Sequence, residues 1–315
     1  MQYFGTIVGA ILPLIIYILI GFALCSFYRF TDDQMKALNK ICFCILLPAL
    51  VFKPIYTLDS FGSSLGKSAF IAMAAIILMP VVSSIVAVKF IPDKSQQAAF
   101  AVCSWKHNSG IVGLPIAKTL LNSDGMASYI VFIACGALFG SIVMTVQASF
   151  HMGGGVGKKE LKAAALNVAK NPIVYAVLAA GILRFGGITL PQMAEDIVFA
   201  FDACVSPICL VLVGCNIAMN HGITHYKLAA GACFLKLIFT PVVMGLIAYA
   251  IGMRGGALAG VIMAQAVPTA VNSVILVHGI GGDGKLASEL VFATTVVSAI
   301  TIFCFAFVIF AIQGA

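Results

Sequence analysis

Two short stretches of this sequence carry side chains able to do chemistry in otherwise apolar surroundings. The first, WKHNSGIVGLPIAKTL at 105–120, sets Lys106, His107 and Asn108 side by side and follows them with Gly110, Gly113 and Pro115. The second, AQAVPTAVNSVILVHG at 264–279, carries Gln265, Pro268 and Asn272. An ammonium can bind an anion or balance its charge, and an imidazole with an ordinary pKa of about 6.5 can carry a proton. An amide offers both donor and acceptor groups, which suits a carboxylate or a small polar ligand. Proline removes a helical hydrogen bond and clashes with the carbonyl four residues back, while glycine loosens the same turn.

The elements that must hold these residues follow from composition. The chain has 315 residues, of which 62% are hydrophobic and 9% charged, with a mean hydropathy of +1.10. A soluble domain carries roughly 25% charged residues, so these values describe an integral membrane protein. A bilayer core of about 30 Å needs about 20 apolar residues of helix. Ten such runs are expected, at roughly 4–28, 37–57, 68–90, 97–121, 127–150, 171–190, 194–219, 228–251, 256–280 and 286–312. The first lacks a basic leader and a small-residue cleavage site, and is expected to remain in the mature protein. The two chemical stretches fall inside the fourth and ninth runs. In lipid an unpaired backbone group costs several kcal/mol, so an opened helix survives only where protein buries it or it lines a polar cavity. If both spans unwind near the midplane and cross, two half-helix N-termini aim their N–H groups at one point, a field suited to an anion. The alternative is a pair of proline kinks healed by neighbouring helices.

Landmarks recur at an offset near 160. Pro80 and Pro241 both open PVV, Pro13 matches Pro172, Pro48 matches Pro207, and DGMASYIVF at Asp124 resembles DGKLASELVF at Asp283. The expected organisation is a first five-helix repeat at 1–150, a connector at 151–170 and a second five-helix repeat at 171–315. An odd number of spans per half requires the second copy to be inverted, the plan of many secondary transporters. With the N-terminus outside, the inward loops hold eleven Lys and Arg and the outward loops only three, Lys67, Arg184 and Arg254. That asymmetry places both ends outside the cell membrane and the connector in the cytoplasm. It also accounts for the net charge of +7 without a nucleic-acid partner.

Buried ionisable residues mark function by default. Lys106 either serves a site or gate or snorkels, and His107 is either a neutral core histidine or a proton carrier. Lys236, in FLKLIFTPVV, and Asp202, five residues before Pro207, need partners within the membrane and could pair with each other or with site water. Lys53 and Lys118 lie near span ends and are expected to snorkel. Enzyme readings fail on spacing. HNSGIVG lacks the glycine two before the serine of a rhomboid-type protease, GGDGK is not the Gly-x-Gly-Asp of an aspartyl one, and no P-loop pattern occurs. Asp32 and Asp33 follow Thr31 with helix-capping character, and the ten cysteines show no zinc spacing.

The whole chain resembles the auxin efflux carrier family, which includes the plant PIN carriers and bacterial malonate, malate and general dicarboxylate permeases. The likeness rests on FTDDQMKALNKICFCILLPALVF at 30–52, NSGIVGLPI at 108–116, KNPIVYAVLAAGILRF at 170–185, FLKLIFTPVV at 234–243 and MAQAVPTAVNSVILVHGIGGD at 263–283. It implies an all-α polytopic protein of ten helices in two inverted repeats, with the fourth and ninth crossing at Pro115 and Pro268. It implies a scaffold of helices one, two, six and seven, a core that moves as an elevator, and a carboxylate anion as substrate beside Asn108. The long cytosolic loop of the plant members is here only about 20 residues, so plant-type auxin export is not implied.

The expected function is therefore secondary transport of a small organic anion. Asn108, Gly110, Pro115, Gln265, Pro268 and Asn272 are the candidate substrate-binding residues. Lys106, His107, Lys236 and Asp202 are candidates for coupling or charge balance. No catalytic residue, metal or cofactor is expected; a coupling ion would be a proton or sodium. A sodium-coupled symporter of the bile-acid type, with opened carbonyls and Gln265 on sodium, stays open, as do a non-transporting sensor and a homodimer.

Overall fold

The computed structural model describes residues 2–28, 30–57, 64–153, 162, 166, 169–219 and 222–314. Most of the connector expected at 151–170 lies outside the described residues. Among the described residues the chain is helical, and the one β feature is an isolated bridge. The helices are α1 (Gln2–Tyr28), α2 (32–56), α3 (Ser64–Phe90), α4a (Lys94–Cys103), α4b (Ser109–Leu120), α5 (Ser123–His151) and α6 (Pro172–Phe185). They continue as α7 (Gln192–Ala218), α8 (Tyr226–Ala250), α9a (Gly255–Ala266), α9b (Asn272–Gly279) and α10 (Gly284–Gln313). Six of them, α2, α3, α5, α7, α8 and α10, are long and apolar enough to cross a membrane, which makes this a polytopic membrane protein.

Capping residues start several of these helices where the sequence supplies them. Thr31 and Gln34 form a reciprocal capping box at α2, so the Asp32 and Asp33 pair sits in a first helical turn. Asn122 caps α5 and Asn171 caps α6, where Pro172 takes a position that needs no N–H donor. Asp283 accepts from the backbone N–H of Leu286 at the start of α10.

Of the four π turns among the described residues, Gly136–Gly140 has no proline after it, and the other three share one cause. They cover Cys42–Leu46, Ser109–Gly113 and Leu235–Phe239, and each ends two residues before a proline: Pro48, Pro115 and Pro241. A proline cannot donate to the carbonyl four residues back and pushes against it, and widening that turn relieves the clash. Pro115 therefore widens α4b without breaking the fourth span; the break lies upstream, between Cys103 and Ser109. The expected crossing at Pro115 is thus displaced, whereas Pro268 does lie in the break between α9a and α9b.

Two packing groups surround the breaks. In the first, α1 lies along α7, and α2 packs on α6 and α7. The α1–α7 approach is backbone to backbone, because a Cβ on Gly21 would overlap the carbonyl oxygen of Val211 and one on Gly214 that of Ile18. The Tyr56 hydroxyl donates to Glu195 Oε1 at 2.6 Å and accepts from the backbone N–H of Leu190 at 2.9 Å, tying the end of α2 to the start of α7. In the second group, α9a is enclosed by α5, α8 and α10, and α4a by α3, α5 and α10. Gly256 and Gly260, one turn apart on α9a, let that helix close on Asn122 and Gly125 of α5, the small-residue contact that membrane helices use.

Candidate functional site

The two opened segments meet. Residues 104–108 and 267–271 run antiparallel and form the isolated bridge between His107 and Thr269. The backbone N–H of Asn108 donates to Pro268 O at 2.8 Å, and that of Ala270 donates to Lys106 O at 3.1 Å. Each break thus satisfies backbone groups that the other has freed, which is how non-helical chain persists at membrane depth. Thr269 completes the junction: its hydroxyl donates to Cys103 O at 2.6 Å, capping α4a, and its N–H donates to Thr294 Oγ1 at 3.3 Å on α10. The hydroxyl of Tyr129, fully buried on α5, donates to Ser109 O at 2.8 Å beside the start of α4b.

A cavity of about 500 Å³ lies against this junction. Lys106, His107, Asn108, Gly110, Gln265 and Asn272 all contribute to its wall, so six of the ten residues singled out in the sequence come together. Pro115 and Pro268 stand off the wall, the former inside α4b and the latter behind the bridge. The lining continues to Lys170 and Asn171 at the start of α6, and among the described residues contains no Asp or Glu. Two helix N-termini face it, since Ser109, Gly110 and Ile111 at the start of α4b and Val271 and Asn272 at the start of α9b belong to the wall. Among the described residues no side chain caps either of those starts. Their N–H groups and dipoles give the cavity a positive character.

The polar side chains are held as follows. Lys106 is 8% exposed; its Nζ donates to Gly136 O at 3.3 Å and stands 5.8 Å from the centre of the Trp105 ring. Gly140 leaves it room, because a Cβ there would come within 2.7 Å of that Nζ. The imidazole Nε2 of His107 donates to Gln265 Oε1 at 2.6 Å, which leaves the buried Nε2 of Gln265 as an amide donor without a partner among the described residues. Trp105 donates through Nε1 to Gln147 Oε1 at 2.6 Å, and Gln147 in turn donates to Pro80 O at 2.8 Å. That brace fixes the residue preceding Lys106.

Lys236 and Asp202 are not partners. Lys236 is fully buried on the π turn of α8, and its ammonium donates to Gln265 O at 2.9 Å, the carbonyl end of α9a. Asp202, 3% exposed on α7, is bonded by Lys118 of α4b and by Lys53 of α2, the latter at 3.2 Å. These two lysines were expected to snorkel to the membrane surface; their long apolar stems serve instead to bring two ammonium groups to one buried carboxylate. Asp202 therefore lies outside the cavity and belongs to the contact between α4b and the α2–α7 pair.

Sequence reasoning missed Thr269 and Tyr129. A hydroxyl directly after Pro268 within an apolar run was a usable signal for the first. Nothing local marks Tyr129, whose role exists only through a contact 20 residues away in sequence.

The profile of the family described as membrane transport protein matches residues 6–306. The chain belongs to that family, the one that includes the auxin efflux carriers. Members similar to it are themselves described as uncharacterized transporters. One from Methanothermobacter thermautotrophicus is 22% identical over 298 residues, 93% of this chain and 95% of its own length. Another, YfdV of Escherichia coli strain K12, is 25% identical over 279 residues, 85% of this chain and 87% of its own. A third, from Methanocaldococcus jannaschii, is 21% identical over 301 residues. The chain is thus a member of a membrane transporter family.

Proposed function

We propose that this family member is a secondary transporter that moves a small carboxylate anion by alternating access, with the cavity at the α4–α9 junction as its site. One observation carries the reading: two uncapped helix N-termini and Lys106 converge on a cavity whose wall, among the described residues, contains no carboxylate. A carboxylate there would accept from backbone N–H groups, from the amides of Asn108 and Asn272, and from Lys106, while Gln265 offers its unpaired Nε2 at the wall. His107, bonded to Gln265, is the group placed to carry a proton if transport is proton-coupled.

The ten helical segments are read as crossing the membrane in two oppositely inserted halves. The packing supports this, because its pairings recur with the halves exchanged: α1 on α7 and α6 on α2, α3 with α4a and α8 with α9a, α5 with α9a and α10 with α4a. The α1, α2, α6 and α7 group then serves as a frame along which the remaining helices carry the site as an elevator. With the basic loops in the cytoplasm of the cell, both termini lie outside and the cavity, which reaches Lys170, opens inward. An inside-negative potential drives an anion outward by about 2.3 kcal/mol per charge per 100 mV.

Counterflow in proteoliposomes tests the proposal. Vesicles loaded with unlabelled malonate or malate should accumulate the labelled anion saturably. Absence of counterflow across a panel of mono- and dicarboxylates would remove the anion reading.

A further inference from the structure

The Lys236 side chain is buried completely among apolar helices, and among the described residues what meets its Nζ is a backbone carbonyl rather than a carboxylate. That carbonyl belongs to Gln265, in the last turn of α9a, where the chain opens and helical carbonyls lose their donors. The end of a half-helix carries partial negative charge, and opened carbonyls at membrane depth are the usual seat of a monovalent coupling cation. A free cation at this break would draw on Gln265 O and Gln265 Oε1. Both are taken, the first by Lys236 Nζ at 2.9 Å and the second by His107 Nε2 at 2.6 Å.

We infer that the Lys236 ammonium is a tethered substitute for a coupling cation, seated on the carbonyl end of α9a, so that this chain binds and carries its anion without sodium. The inference rests on the transport reading above and adds to it the identity of the countercharge. The local fold supports the placement. The π turn at Leu235–Phe239 forms ahead of Pro241, and Thr240 Oγ1 takes up Leu235 O at 2.7 Å, so the widened turn is satisfied while it turns Lys236 towards α9a. Because α8 packs directly against α9a, the positive charge stays with the site when the site moves. A bound anion and its countercharge then cross together, with no second solute to wait for.

The test uses the full-length protein in detergent and needs no organic anion. Tm is followed while NaCl replaces choline chloride at constant ionic strength, for the wild type and for Lys236→Ala and Lys236→Ser, which vacate the carbonyl end. The wild type should melt at the same temperature in both salts. The variants should gain several degrees in a saturable, sodium-specific manner, as expected when a ligand binds only the folded state. A saturable sodium-specific rise in the wild type overturns the inference, as does a folded variant that is as indifferent to sodium as the wild type. Should neither variant fold, the wild-type titration decides alone, its indifference supporting the inference. Failure of malonate counterflow would leave this titration unaffected, so the two readings fail separately.

Discussion

The main-chain N–H of Asn108 and the carbonyl of Pro268 are bonded at 2.8 Å although they belong to opposite halves of the chain. The bond uses no side chain of either residue, which separates what holds the junction from what faces the cavity.

Asn108→Ala should therefore keep the junction and lose a ligand contact. Alanine retains the N–H that reaches Pro268 and the carbonyl that accepts from Gly113. A hydrogen bond to a charged partner is worth about 1.5–3 kcal/mol, so substrate affinity should fall roughly tenfold to a hundredfold with little change in Tm. Counterflow and melting measured on the same preparation check this. Unaltered affinity would take Asn108 out of the site.

Gly140 and Gly136 both line the cavity, and Gly140→Ala should disturb binding by displacing the Lys106 ammonium rather than by removing a polar contact. Its methyl would lie 2.7 Å from Lys106 Nζ and force the ammonium to move, whereas Gly136→Ala meets nothing within 4 Å. A reduced affinity in the first variant, with a smaller effect in the second, is the expected pattern. Equal effects would place Lys106 outside the substrate site.

Asp202 is the acid that two lysines share, so the order of damage on removing each partner is fixed. Asp202→Asn leaves Lys53 and Lys118 facing one another beside a buried amide, a change of the kind that costs about 3–5 kcal/mol. Lys118→Met keeps the pair with Lys53 and should cost less. Thermal melts of the two variants decide it, and the reverse order would contradict the geometry. Because Lys118 belongs to α4b and Asp202 to α7, Lys118→Met should also change the rate of exchange between inward and outward states.

Trp105, the single tryptophan of the chain, lines the cavity, and its indole N–H is bound by Gln147, which is not part of the wall. A ligand entering the cavity should alter its emission in proportion to occupancy. Gln147→Leu leaves that buried N–H unpaired, at a cost of about 1–3 kcal/mol, and should shift the emission of the empty protein. A spectrum insensitive to both changes would contradict the placement of the ring.

Much of this site was legible because lipid punishes open backbone. Polar and helix-breaking residues at 105–115 and 265–272 stand out against apolar neighbours, and they do mark the two breaks. The misplaced crossing at Pro115 came from what the family resemblance implies, not from the polar and glycine residues upstream of it. A proline preceded by a pliable turn widens the helix, and the chain actually opens where Thr269 and Tyr129 offer replacement bonds. The partners of Asp202 and Lys236 were illegible for a different reason. A lysine stem reaches several ångströms along or across helices, so its position in a span does not say where its charge ends up. Length and composition identify six helices as able to cross alone. Broken or short helices such as α4, α6 and α9 gain their place only from the neighbours that enclose them.

The reciprocal seat of Gly21 on Val211 and Gly214 on Ile18 has a mechanical consequence. With hydrogen atoms alone filling the gap, two main chains lock in one register, and sliding by a single residue would drive a side chain into a peptide plane. Under the transport reading proposed above, the motion that carries cargo would be taken up elsewhere, with these two helices as the ground against which displacement is measured.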